Sequence, residues 1–72
     1  MPRKRSIIPA APMADILKQA GAERVSDSAA RELADVLMEI ATGISKDAVK
    51  FAAHAGRKTI KKEDIDLARK KP

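Results

Sequence analysis

The sequence predicts an all-α fold of three helices, short then long then short, that is complete only as a dimer. Three observations carry that expectation. Between Ser26 and His54 the apolar residues Ala30, Leu33, Leu37, Ile40, Ala41, Ile44, Ala48, Phe51 and Ala52 recur at spacings dominated by three and four. Arg31, Glu32, Asp35, Glu39, Lys46 and Lys50 fall largely on the other side, which is the pattern of one amphipathic helix. Proline is absent from this stretch, while prolines and glycines punctuate the segments on either side. Finally, a helix of this length measures about 40 Å, whereas a compact globule of this chain length has a radius of gyration near 11 Å. The central helix outruns any globule the chain can build, so a partner chain has to cover its apolar stripe.

Taken in order, residues 1–6 form a basic arm with Arg3, Lys4 and Arg5 placed for phosphate contact, and residues 7–72 form the folded domain. Pro9 and Pro12 bracket the start of the first helix, with Pro12 in its first turn, where a missing N–H costs nothing. Met13, Ile16, Leu17 and Ala20 give that helix one apolar face, and Gly21 suits the left-handed residue that ends it. Two to three turns are not stable alone in water, so this helix has to lie on the long one.

The link 21–25 contains Arg24 beside Val25, a residue fitted to a short extended segment. Ser26 or Asp27 supplies the cap of the long helix, and Gly56 is its stop. Leu33, Leu37, Ile40, Ala41 and Ile44 form the centre of the stripe that a second chain covers; Ala41, Thr42 and Gly43 permit a close crossing of two such helices. The second link, 55–60, repeats the chemistry of the first: basic Arg57 and Lys58, then β-branched Thr59 and Ile60. Two such pieces can pair as a minimal bridge. The last helix runs from Lys61 or Lys62 to Lys70, with acids in its first turn and bases in its last, an order that complements the helix dipole.

Composition narrows the function classes. Seventy-two residues make one small domain, and with no cysteine there is neither a disulfide framework nor a cysteine zinc site, which leaves oligomerisation to stabilise it. Fifteen Lys and Arg against ten Asp and Glu give a net charge of +5, a field suited to a polyanion. Phe51 is the one aromatic residue, so stacking of unpaired bases has no platform and duplex DNA is favoured over single strands. A single histidine, no glycine-rich phosphate loop and no metal-ligand spacing argue against an enzyme, a cofactor or a small-molecule substrate. No apolar run spans a bilayer, and the acids of the long helix disfavour a membrane-surface peptide. The expected location is the cytoplasm, on the chromosome.

The stretches PAAPMADILKQAGAERVSDSA and HAGRKTIKKEDIDLA closely resemble the corresponding parts of archaeal histones, and the likeness extends over about residues 8–70. That resemblance implies the histone fold: an obligate handshake dimer, the first link of one chain paired with the second link of the other, and dimers that stack while duplex DNA wraps around them. It implies that Arg24 enters an inward-facing minor groove and that Lys58 and Thr59 hold phosphates, with Lys61 adding charge. Arg57 and Asp64 match an intrachain ion pair that fixes the second link. Phe51, His54, Asp64 and Leu67 match the contact between dimers, where a protonated His54 facing a carboxylate would strengthen stacking as pH falls.

One departure concerns the first helix. Asp15 stands where archaeal histones often carry a basic residue, and a carboxylate there repels DNA. Central phosphate contacts are therefore expected from the backbone N–H groups around Met13 and Ala14, and from Lys18 or the arm. The partners implied are double-stranded DNA and a second copy or a paralogous histone. A histone-fold subunit that assembles with other proteins, such as a transcription-factor partner, is the alternative reading.

Overall fold

The computed structural model describes residues 7–70, which form three helices. These are α1 (Ala10–Gln19), α2 (Asp27–His54) and α3 (Lys62–Lys70), and no strand occurs among the described residues. The arm residues Arg3, Lys4 and Arg5 lie outside the described range.

Helix α1 begins at Ala10 with Pro9 as its N-cap at φ −65° and ψ 146°, so the two prolines bracket its start and Pro12 stands in its first turn, as the sequence predicts. Any of the first three helical positions lacks an intrahelical acceptor, so Pro12 is accommodated as the third of them without loss of a hydrogen bond. The helix ends in a Schellman turn. Ala22 N–H reaches the Leu17 carbonyl at 3.0 Å and Gly21 N–H reaches Lys18 at 3.0 Å, with Gly21 at φ 121°.

Of the two candidate caps for α2, the structure selects Ser26. Its Oγ accepts the Ala29 N–H at 3.1 Å, satisfying a donor that has no helical partner. The far end repeats the closure seen on α1. Arg57 N–H bonds the Ala52 carbonyl and Gly56 N–H the Ala53 carbonyl, each at 2.9 Å, with Gly56 at φ 72°. Twenty-eight residues at 1.5 Å each make α2 about 42 Å long.

The chain divides into two compact units, one ending at Glu39 and the other beginning at Ile40, with α2 contributing to both. In the first, Met13 of α1 is buried with Ala30 and Ala34 of α2, and Ile8, Ala10, Ala14, Val25, Leu33 and Leu37 pack around them. In the second, Ala48 and Ala52 of α2 and Ala68 of α3 are buried, together with Asp64.

The buried positions of α2 are thus all alanines, one pair four residues apart in each unit. Its large aliphatic residues are covered only in part: Ile40 is 54 % exposed, and Leu33, Leu37 and Ile44 are half-buried, Leu33 and Leu37 against the core of the first unit. Alanine lets the flanking helices approach closely but buries little area. The area that would stabilise a core is the part left uncovered. Gly43 needs no glycine within the chain, because a Cβ built on it meets nothing within 4 Å.

Candidate nucleic-acid interface

The first link is held at both ends by its neighbours' caps. The Schellman closure ends at Ala22, the Ser26 cap begins four residues later, and Val25 packs onto the core of its unit. Arg24 sits between these anchors with its side chain exposed. A fixed backbone carrying a free guanidinium suits insertion into a groove, since little backbone entropy remains to be lost.

The second link is organised by one carboxylate. Arg57 donates to Asp64 through Nη1 to Oδ2 and Nη2 to Oδ1, both at 3.0 Å, and Nη1 also reaches the Thr59 carbonyl at 3.2 Å. The Lys61 N–H donates to Asp64 Oδ2 at 2.8 Å. Lys61 precedes the first residue of α3 and Asp64 is the third, so this is the reach-back half of a capping box. A single side chain therefore caps α3 and ties the link to it.

The burial of Asp64, 2 % exposed, is compatible with charge because three donors satisfy it. The Arg57 hydrogen bond, seconded by the Lys61 N–H, holds its carboxyl below the usual carboxylate range, and the same hydrogen bond raises Arg57. Both stay ionised around neutral pH. The charge of Arg57 is consequently spent inside the protein, and the cations the link offers outward are the exposed Lys58 and Lys61, with the exposed Thr59 hydroxyl beside them. Lys62 is bonded to Asp66 at 2.8 Å in an exposed pair one turn apart on α3, which contributes little to stability.

On α1, Lys18 and Asp15 are both exposed. The start of α1 at Ala10 sets which of its amides are free. Met13 is the fourth helical residue, so in the regular helical pattern its N–H turns to the Pro9 carbonyl and that of Ala14 to Ala10. Prolines at 9 and 12 have no N–H to offer. The donors open to an anion are those of Ala10 and Ala11, and they replace Met13 and Ala14 as candidates. Met13 is a core residue, 6 % exposed.

Of the residues assigned to contacts between chains, Ile40 and Ala41 are exposed, and Leu33, Leu37 and Ile44 are half-buried. Val36 at 36 % and Ile16 at 49 % are apolar residues that are likewise exposed, although sequence reasoning names neither as such. Val36 is legible in principle, since it lies three residues from Leu33 and four from Ile40. The periodicity of α1 assigns Ile16 to the inward face, and only packing shows that this face is wider than the core beneath it. Phe51 is half-buried, while His54 and Leu67 are exposed; His54 borders a shallow concavity with Lys50 and Ala53. Among the described residues no group of three or more His, Asp or Glu is placed to hold a metal ion, and no helix is long and apolar enough to cross a membrane.

Residues 7–68, all of α1 and α2 and most of α3, match the family described as histone-like transcription factor (CBF/NF-Y) and archaeal histone. The chain belongs to this histone-like family. One of the subunits of archaeal histone HAN1 from Thermococcus zilligii is 52 % identical over 61 residues, covering 85 % of this chain and 91 % of the relative. Probable archaeal histone 3 of Methanocaldococcus jannaschii is 49 % identical over 61 residues, with the same coverage of each. The histone-like family accounts for the short, long, short order of helices, and it places this chain among structural proteins rather than enzymes.

Proposed function

We propose that this histone-fold protein is a chromatin architectural protein that binds double-stranded DNA with little sequence selectivity and wraps it as dimers that stack. The observation that carries the reading is the second link: Asp64 and Arg57 neutralise each other while holding Lys58, Thr59 and Lys61 outward, an arrangement that grips phosphates without reading bases. Arg24 supplies the minor-groove contact. Lys18, the Ala10 and Ala11 amides and the basic arm supply the central phosphates, opposed by Asp15.

The dimer is a handshake in which a second α2 covers Leu33, Val36, Leu37, Ile40, Ala41 and Ile44, and each first link pairs with the partner's second. The partner is a second copy or a paralogous histone; the Thermococcus zilligii relative is itself named as one subunit of a histone. Phe51, His54 and Leu67 make the contact between dimers. Asp64 offers that contact Oδ1 alone, the oxygen with one donor where Oδ2 has two. The protein works on the chromosome in the cytoplasm.

Nuclease digestion of long duplex DNA loaded with the purified protein tests this. Three inward minor-groove contacts per dimer, spaced by one helical turn of about 10 bp, give protected fragments that grow in steps of roughly 30 bp. A single short footprint would remove stacking from the proposal. The absence of any footprint would overturn DNA wrapping and leave assembly with other proteins, in the manner of a histone-fold transcription factor, as the function.

A further inference from the structure

The second half of α2 carries basic residues that the DNA contacts of the second link do not use. Lys46, Lys50 and His54 follow one another at spacings of four, so they form one row along the helix, about 12 Å from end to end. All three are exposed, and all belong to the unit that begins at Ile40. Ala48 and Ala52, which are buried in that unit together with Ala68 of α3, lie on the opposite side of α2 at 3.6 residues per turn. The row therefore points away from the interior of the unit. Asp64 ties the second link to α3, so Lys58, Thr59 and Lys61 stand at the start of α3 while the row runs along the outer side of α2.

The row suits a polyanion better than a protein partner. Each lysine presents a point charge with three donors, and an imidazole N–H donates to an oxygen whether or not the ring is protonated. Lys50, Ala53 and His54 line a shallow concavity, and no large apolar side chain stands in the row to anchor a protein. Asp47, the one carboxylate of α2 in this unit, is half-buried and stands between the row and the neighbouring Ile44 and Phe51. Nothing in the row carries the paired donor and acceptor of an amide, so it can hold phosphates but not read bases.

We propose that Lys46, Lys50 and His54 form a second site for the backbone of duplex DNA, through which the protein bound to one duplex holds another beside it. For the first duplex the inference rests on the DNA binding proposed above. His54 is also placed in the contact between dimers, so a stacked neighbour and a second duplex compete for that end of the row. Built from exposed cations, the grip is weak alone and sensitive to salt. Many copies along one DNA molecule make it effective.

Capture of a labelled duplex by a bead-bound duplex loaded with the protein tests this, with fluorescence anisotropy giving the affinity for a single duplex alongside. Lys46→Gln with Lys50→Gln is expected to lower capture about tenfold near 0.1 M salt and to leave single-duplex affinity unchanged. Lys46→Arg with Lys50→Arg should keep both, and circular dichroism of each variant establishes that α2 is intact. Leu67→Glu, which disturbs the contact between dimers, should still capture the second duplex. Loss of capture in Leu67→Glu, or equal capture by the glutamine variant, would show that something other than the row joins the duplexes and would overturn the proposal. Equal loss of capture and of single-duplex affinity would overturn it too, by placing the row in the first contact. A parent that binds one duplex and captures no second would sink this inference alone, whereas a parent that binds no duplex would sink the proposed function with it.

Discussion

Asp64 accepts hydrogen bonds from a guanidinium and from the N-cap amide of α3, and its burial makes those bonds the condition of its charge. A carboxyl held below its ordinary range stabilises the fold fully above the unfolded value, near 4, and loses that contribution as pH falls through the lower folded value. Asp64→Asn should lower the melting temperature at neutral pH and flatten the decline of stability over the acid range below about pH 4. Asp66→Asn, which breaks only an exposed pair, should change the melting temperature far less. Thermal unfolding of the three proteins across that pH range checks both statements. Arg24 differs in kind, because its value is spent on DNA rather than on the fold. Arg24→Ala should leave unfolding unchanged and reduce the steepness of log affinity against log salt by about two for a dimer, one for each chain. An unchanged slope would remove Arg24 from the interface.

At the scale of the elements, both link-facing ends close by the same device, a Schellman turn with glycine in the left-handed region. Gly56 at φ 72° is the more consequential, because the residue that follows it is Arg57. Alanine at position 56 would cost about 1–2 kcal/mol for the left-handed backbone. Gly56→Ala should therefore lower the free energy of unfolding by that amount and, by disturbing Arg57, weaken DNA binding with Lys58 and Thr59 untouched. Denaturant titration beside a binding isotherm separates the two effects. Gly56 and the pair of candidate caps Ser26 and Asp27 were readable in the sequence because capping is local chemistry, and the Ala29 N–H bond decides for Ser26. The start of α1 was legible to within the bracket of Pro9 and Pro12, and the structure fixes it at Ala10 with Pro9 as the cap.

In each unit the fully buried positions of α2 are alanines, and its larger apolar residues are covered only in part. Covering them in full requires a second chain, so folding and association are one equilibrium. The midpoint of thermal or denaturant unfolding should accordingly rise with protein concentration, a dependence that a stable monomer lacks. Ile40→Lys, which places a charge at the centre of the open face, should abolish the two-chain species in sedimentation and leave a chain with much reduced helix content. Retention of full helicity as a monomer would contradict the obligate dimer.

The sequence by itself determined the three helices, the stop of α2 at Gly56, the aliphatic stripe and the incompleteness of the single chain, because periodicity, capping and length act locally along the backbone. Its long matching strings also carried the family. Only the tertiary structure decided how the charges of the second link are used. Arg57, Lys58 and Lys61 look alike in sequence as cations within five residues, yet one is committed to a buried carboxylate and the other two are turned outward. The start of α1 at Ala10 puts its free amides at Ala10 and Ala11 rather than Met13 and Ala14, and tertiary packing showed which apolar residues the chain leaves exposed. Those outcomes depend on which groups lie close in space, and spacing along one strand of sequence does not contain that information.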